Sequence, residues 1–182
     1  MSRKFKFSDA DKLYFITYSV VYWIDVFTRI EYRDVLIESW NYCQRNKGLE
    51  IYSWIIMTNH VHLIVRSNKD PLENIVRDMK RHSSSQIKLL LMAGKKESRR
   101  DWMLMLMKKA GLSNRLNNDW QFWQQHNKPL EIVDDSMFYR AVDYIHHNPV
   151  KAGFVENEED WLYSSARDFK GRKGLIQLCN LL

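Results

Sequence analysis

MTNHVHLIV, residues 57–65, is a short apolar run that carries two histidines, His60 and His62, one residue apart. Alternate residues of a β-strand point to the same face, so both imidazoles would project together while Val61 turns to the other face. Two imidazoles on one face of a rigid strand provide half of a metal site. The pattern also fits two polar side chains on the solvent side of an edge strand, and the rest of the chain must decide.

Length and composition predict one globular domain over residues 1–182. Hydrophobic residues make up 45% of the chain, which is enough for a sizeable core. Cys43 and Cys179 lie far apart without a CxxC spacing, as expected of free thiols in a reducing cytoplasm. The polar, basic N-terminus does not resemble a secretory signal, and no apolar run approaches the roughly 20 residues that span a bilayer. We therefore expect a cytoplasmic protein with no membrane partner.

Positive charge is concentrated in one segment of the chain. The formal net charge is +6, whereas residues 77–115 alone contain eleven Lys or Arg and three acidic residues, a local net of +8. Clustered positive charge is typical of a nucleic-acid partner, although a solubilising surface has the same composition. Four basic side chains lie mainly off the apolar stripe of the helix predicted here and are candidate DNA contacts: Arg77, Lys80, Arg81 and Lys88.

The order of the predicted elements favours an α+β fold. Runs of β-branched and aromatic residues predict strands over residues 14–23, 49–56, 60–66, 120–125 and 130–133. Apolar stripes at helical spacing predict helices over residues 32–47, 71–92 and 102–109, and a last one from about 134 to 148. The β-α-β-β-α-β order predicts a ferredoxin-like antiparallel sheet backed by helices.

Particular residues mark the expected element ends. Gly48 is placed to end the first helix, and Asp70 is placed to cap the second. A tight connection at residues 58–59 would join two strands into an antiparallel hairpin. We expect Asp134 or its neighbours to cap the last helix and Pro149 to stop it, because the residue before a proline avoids the α region.

A second informative stretch, residues 143–153, reads DYIHHNPVKAG. Tyr144 and Asn148 are four residues apart and therefore share one face of the predicted helix. An amide oxygen such as that of Asn148 could complete a metal site begun by two imidazoles, and a tyrosine one turn away could be a nucleophile. Equally, Tyr144 could be a core aromatic and Asn148 a helix cap. His147 is a candidate general base, although a surface histidine is the plainer interpretation.

The two stretches together resemble the HUH single-tyrosine transposases. The likeness rests on HVH at 60–62 and YIHHNPVKAG at 144–153, and it extends to FWQ at 122–124 and WLYSSA at 161–166. The branch it resembles most is that of the REP-associated tyrosine transposases and their insertion-sequence relatives. The resemblance implies a sheet like that of RNA-recognition domains, with the nucleophile on a C-terminal helix that faces the HUH strand.

The resemblance also implies an activity. Members of this family cleave and rejoin single-stranded DNA beside hairpins through a 5′-phosphotyrosine intermediate. Carried to this chain, Tyr144 would be the nucleophile, and His60, His62 and Asn148 would bind a divalent ion, Mg²⁺ or Mn²⁺. The expected partner is single-stranded DNA with a hairpin. The oligomeric state stays open between a monomer and a homodimer, because related enzymes include both.

Two functions of other classes fit the same residues. One is a catalytically inactive module that binds single-stranded nucleic acid on a similar sheet and forms no covalent adduct. The other is a metal-dependent nuclease in which a bound water attacks the phosphate, so that cleavage would survive Tyr144→Phe. The joint presence of both histidines, Tyr144 and Asn148 favours the transposase.

Overall fold

A four-stranded antiparallel sheet forms the centre of the fold, with strand order β2-β3-β1-β4. The computed structural model describes residues 7, 12–94, 97–114, 119–125, 127 and 129–179. The strands are β1 Tyr14–Ser19, β2 Leu49–Ile56, β3 His60–Ser67 and β4 Leu130–Glu131. This order is that of a ferredoxin-like sheet, so the α+β fold class predicted from the sequence is confirmed.

The helices connect and flank the strands. They are α1 Ile30–Lys47, α2 Leu72–Ala93, α3 Arg100–Leu112, α4 Asp135–Lys151 and α5 Ala166–Phe169. The α1 helix ends at Gly48, whose φ of 73° is left-handed and where a Cβ would come 2.9 Å from the Lys69 backbone nitrogen, so the position favours glycine. None of the helices in the described part of the chain has the length and apolar composition of a membrane-spanning segment.

The two faces of the sheet are covered by different helices. Inward residues of one face, such as Ile16 and Leu63, pack with the buried side chains of α1, α2 and α3. The opposite face, which includes Ile64, packs with Phe138, Val142 and Ile145 of α4. Because His60 and His62 alternate with the first set along β3, they lie on the α4 face.

Two strand predictions are wrong in extent. The predicted strand over residues 14–23 ends at Ser19 and is followed by a 3₁₀ turn, Val21–Trp23. Residues 120–125 form no strand. Trp123 makes one isolated antiparallel bridge with Val20, the residue that follows β1. Both segments place neighbouring side chains in the same core cluster, Val20 with Val21 and Phe122 with Trp123, whereas neighbours along a regular strand point to opposite faces.

Two helix ends also differ from the predictions. Pro71, not Asp70, occupies the N-cap position of α2, and the Asp70 carbonyl accepts a hydrogen bond from Ser67 Oγ. The α4 helix continues through Pro149 to Lys151. Pro149 is buried near the helix end, where the loss of one hydrogen bond is offset by packing of its ring. The predicted cap at the start of α4 is confirmed, since Asp134 accepts a hydrogen bond from Met137 N.

Candidate active site

His60 and His62 project side by side from β3 toward α4. Their ring centroids are 4.9 Å apart, and Val61 between them is fully buried on the other face. His62 is only 3% exposed and pairs across the sheet with Thr17 of β1, while His60 at the strand end is partly buried. The strand alternation therefore brings both imidazoles into one site, as the sequence predicts.

His62 presents one ring nitrogen that has no partner. Its Nδ1 lies 2.7 Å from Thr17 Oγ1, whereas its buried Nε2 makes no hydrogen bond to the described residues. Burial, and to a lesser extent the neighbouring His60, lowers the pKa of His62 to about 3, so the ring is neutral at physiological pH. A neutral imidazole with a buried, unpaired nitrogen is suited to binding a metal ion.

Asn59 sets the orientation of His60. The Asn59 amide nitrogen donates to Asp25 Oδ1 at 2.9 Å and to the Trp23 carbonyl at 3.2 Å, so its oxygen must face His60 Nδ1, 2.7 Å away. That network assigns the proton to Nδ1 and leaves the Nε2 lone pair free. Burial lowers the pKa of His60, which also favours the neutral ring.

Tyr144 and Asn148 stand on α4 opposite the two histidines. The Tyr144 ring centroid is 5.2 Å from that of His62 and 6.0 Å from that of Phe15. Tyr144 is 51% exposed, so it is not the core aromatic of the alternative interpretation, and its hydroxyl makes no hydrogen bond to the described residues. The Asn148 amide donates to the Tyr144 carbonyl at 3.3 Å, and Asn148 does not end the helix.

A cleft of about 870 Å³ collects these side chains between the sheet and α4. Its lining includes residues that sequence reasoning did not single out, among them Thr17, Trp23 and Arg140. Arg140 is exposed and precedes Tyr144 by one helical turn. It supplies a fixed positive charge where a phosphate would enter, and its four-residue spacing from Tyr144 is a signal that the sequence does contain.

The two consecutive histidines of α4, His146 and His147, have different surroundings. His146 is 4% exposed, with Nε2 2.8 Å from Ser165 Oγ and 3.3 Å from Ser53 Oγ. It ties α4 to β2 and to the segment before α5, and burial lowers its pKa to about 4. His147 is exposed, and its Nδ1 lies 3.4 Å from Glu158 Oε1, outside the described lining of the cleft. A role for His147 as general base stays a prediction.

The basic residues predicted to contact DNA lie on α2, across the sheet from the cleft. Arg77 and Arg81 are exposed. The Lys80 ammonium donates to the Gln124 carbonyl at 2.8 Å and to Asn127 Oδ1 at 2.7 Å, and burial lowers its pKa to about 8. Lys88 lies 3.6 Å from Asp119 and over the ring of Trp120. The structure thus does not bring these four side chains together with Tyr144.

A metal ion bound here would depend on an amide ligand. The described residues contain no cluster of three or more His, Cys, Asp or Glu side chains that could hold one. His60 and His62 offer two imidazole nitrogens, and the Asn148 amide oxygen, which has no hydrogen bond from the described residues, lines the same cleft. Imidazole donors suit transition metals and an amide oxygen suits Mn²⁺ and Mg²⁺, so this mixed set fits a divalent ion and suits Mn²⁺ at least as well as Mg²⁺.

Parts of this chain are similar in sequence to known proteins, and its fold is similar to that of a solved structure. Residues 13–102, which are 90 of 182 residues, match the family model of IS200-like transposases. A 49-residue segment of this chain is 47% identical to a segment of a Haemophilus influenzae protein whose name suggests a REP-associated tyrosine transposase. This segment makes up 26% of this chain and 28% of that relative. A solved structure of a REP-associated tyrosine transposase bound to a REP hairpin is similar with a TM-score of 0.62 and 20% identity, over 99% of this chain and 93% of that one.

The matched segment contains β1, the β2–β3 hairpin and the histidine pair, and the similar fold extends through α4. Over these residues, the chain is similar to the family of IS200-like transposases.

Proposed function

We propose that the protein is a transposase that cleaves and rejoins single-stranded DNA next to hairpins, with Tyr144 as its nucleophile. The observation that carries the proposal is the cleft itself. It holds a half-exposed tyrosine with an unbonded hydroxyl beside a histidine whose buried Nε2 has no partner among the described residues. The family match and the similar structure of a relative bound to a REP hairpin support hairpin DNA as the partner.

The chemistry follows from the position of the tyrosine. The Tyr144 oxygen would attack the scissile phosphorus in line, forming a tyrosine–phosphorus bond while the bond from phosphorus to the 3′ oxygen breaks. The products are a 5′-phosphotyrosine link and a free 3′-OH, which takes up a proton as the tyrosine hydroxyl gives one up. Because the phosphodiester bond is exchanged rather than hydrolysed, a 3′-OH can later reverse the step and join a strand.

The residues around the cleft prepare it for an anionic substrate. His60, His62 and Asn148 would hold a divalent ion, Mg²⁺ or Mn²⁺, which when bound stabilises the negative charge that develops on the phosphate oxygens. Thr17 and Asn59 orient the two imidazoles through their Nδ1 atoms. Arg140 adds a permanent positive charge at the mouth of the cleft.

The exposed basic residues of α2 would contact a different part of the DNA from the residues of the cleft. Arg77 and Arg81 lie four residues apart on the helix surface, away from the cleft. We propose that they contact the backbone of the hairpin rather than the scissile phosphate. Lys80 is assigned a structural role, because its ammonium is committed to Gln124 and Asn127. A single domain and a cytoplasmic location stay predictions from the sequence, and the choice between a monomer and a homodimer stays open.

A covalent-adduct assay tests the proposal. Wild-type protein incubated with hairpin-bearing single strands and Mn²⁺ should give a protein–DNA band that survives denaturation. Tyr144→Phe removes one oxygen from a half-exposed ring, so the fold and DNA binding should persist while the adduct disappears. Tyr139→Phe is the matched control, because Tyr139 is 59% exposed on the same helix and does not line the cleft.

Each alternative function has its own outcome in this assay. Cleavage by wild type without any adduct, retained in Tyr144→Phe, would mean that a water is the attacking group. Binding without cleavage would identify a nucleic-acid-binding module. An adduct that persists in Tyr144→Phe would show that the nucleophile is misassigned.

A further inference from the structure

Two consecutive bulky residues next to the cleft adopt a backbone conformation that side chains avoid. Tyr22 and Trp23 have φ values of 55° and 54°, and among the described residues they are the non-glycine positions with positive φ. The left-handed region is disfavoured for residues that carry a Cβ, most of all for large ones. Such strain persists where the surrounding structure imposes it, and it is often found at functional sites.

The strained pair is held in place by its neighbours. Val21 and Ile24 are each 5% exposed and anchor the turn in the core on either side. The Val20 amide donates to the Asn59 carbonyl, the Val21 amide donates to the Phe122 carbonyl, and the Asn59 side chain donates to the Trp23 carbonyl. The turn is therefore tied to the strand end that carries His60.

The conformation exposes the Trp23 ring instead of burying it. Trp23 is 57% exposed, its ring centroid lies 5.9 Å from that of His60, and it lines the same cleft as Tyr144. Tyr22 is 50% exposed but is not part of the described cleft lining. A large apolar ring held in solvent at an unfavourable φ gains little for the fold, which points to a ligand that covers it.

We propose that the Trp23 indole stacks on an unpaired base of the single strand, at a nucleotide adjoining the scissile phosphate. The inference rests on the proposed function, which brings the scissile phosphate between His60, His62 and Tyr144. Nucleotides that flank this phosphate in a single strand have exposed π-faces, and Trp23 borders the site where they must lie. Stacking on an aromatic ring is tolerant of base identity, so Trp23 would hold the strand in place rather than read its sequence.

The experiment uses the full chain carrying Tyr144→Phe, so that binding is measured without cleavage, in buffer with EDTA so that metal plays no part. Hairpin oligonucleotides carry 2-aminopurine at each unpaired position in turn, and its fluorescence is quenched when it stacks. We expect one or two positions to be quenched. Trp23→Gly should abolish that quenching and weaken binding roughly 5- to 150-fold. Trp23→Phe should retain most of both.

Two controls separate stacking from a structural role. Glycine accepts the left-handed conformation, so Trp23→Gly should unfold at the same temperature as the parent or higher, whereas a residue needed for folding would lose stability. Tyr22→Gly removes an equally exposed ring with the same φ from outside the cleft and should leave binding and quenching unchanged.

The outcomes distinguish this inference from the proposed function. If wild type forms the adduct but Trp23→Gly binds and quenches like the parent, stacking on Trp23 is wrong while the transposase proposal stands. If Trp23→Gly loses binding but wild type forms no adduct, stacking stands and the catalytic proposal fails. If the parent binds no single strands, both are overturned.

Discussion

Single hydrogen bonds decide which nitrogen each imidazole of the cleft offers. The Asn59 side-chain oxygen accepts a hydrogen bond from His60 Nδ1, and the Asn59 amide nitrogen is fixed by Asp25 and the Trp23 carbonyl. Partners of this kind hold a metal-binding histidine in one tautomer and orientation, and their loss typically weakens metal binding about 10- to 100-fold. The residue before the first histidine is therefore part of the candidate metal site.

Asn59→Ala should weaken Mn²⁺ binding by roughly 10- to 100-fold without abolishing it, because His60 can then adopt either tautomer. Calorimetric titration with Mn²⁺ measures the change, and His60→Ala with His62→Ala gives the fully impaired reference. Thr58→Ala is the matched control, since the Thr58 side chain is adjacent in sequence and makes no hydrogen bond among the described residues. Equal affinities for Asn59→Ala and wild type would exclude the tautomer role.

His146 should make the free energy of unfolding depend on pH. Its pKa is about 4 in the folded protein and about 6.5 in an unfolded chain, so the unfolded state binds more protons between these values. The stabilisation is complete above about pH 6.5 and is lost as pH falls toward 4, by on the order of 3 kcal/mol for a shift of this size. His62 acts in the same direction, with a folded pKa of about 3.

Urea unfolding at a series of pH values measures this dependence. His146→Gln removes the titrating ring and should flatten the curve between about pH 6.5 and 4, at the cost of lower stability near neutrality. His147→Gln is the control, because it replaces the neighbouring, exposed histidine of the same helix. A slope that is the same in His146→Gln would assign the pH dependence to other groups.

The basic residues of the α2 helix have two kinds of surroundings. Arg77 and Arg81 point outward, whereas Lys80 reaches inward to the loop that carries Gln124 and Asn127. The apolar periodicity of the helix cannot distinguish Lys80 from the exposed arginines. A lysine can bury its long aliphatic stem and still place its ammonium beside a distant hydrogen-bond acceptor.

Lys80→Met should therefore lower stability rather than DNA affinity. It removes the donor for the Gln124 carbonyl and Asn127 Oδ1, and we expect a loss of about 1–2 kcal/mol in the free energy of unfolding, because relief of the buried charge offsets part of the cost. Arg81→Met on the exposed face should change stability by less than about 0.5 kcal/mol. Denaturant unfolding compares the two, and equal losses would contradict the assignment.

Across the whole molecule, the cleft and the exposed basic face of α2 lie on opposite sides of the sheet. A hairpin that reaches both must pass around an edge of the protein. DNA affinity and DNA cleavage should then depend on different surfaces. The α2 face would bind the hairpin stem electrostatically, and the α4 face would carry out cleavage. The salt dependence of binding reports how many phosphates the protein neutralises.

The double variant Arg77→Ala, Arg81→Ala should reduce the slope of log affinity against log salt by about 0.9 for each duplex phosphate that is no longer neutralised. Cleavage of bound DNA at saturating protein should be unchanged. Arg140→Ala, in the cleft, should instead slow cleavage and reduce the slope by about 0.7, the value for one phosphate of a single strand. An unchanged slope in the double variant would mean that the basic surface of α2 is simply solvated.

Local sequence patterns were enough to predict the β3 strand, the hairpin and the shared faces of His60 with His62 and of Tyr144 with Asn148. These features depend on local periodicity, which the order of residues fixes directly. The ferredoxin-like order of the elements was also predictable from the sequence. Apolar runs indicate strands and apolar stripes indicate helices, even where the predicted ends of these elements are wrong. The errors at residues 20–23 and 120–125 arise where neighbouring side chains pack into the same core cluster, which the alternation along a strand does not describe.

The surroundings of these residues depend on contacts between distant parts of the chain. The pairing of Thr17 with His62 depends on the register of β1 against β3, and the proximity of Trp23 to His60 depends on a strained turn brought from another part of the chain. The separation of α2 from the cleft likewise follows from which face of the sheet each helix covers. Long-range register and layer assignment are set by packing of the whole core, so local sequence patterns cannot supply them.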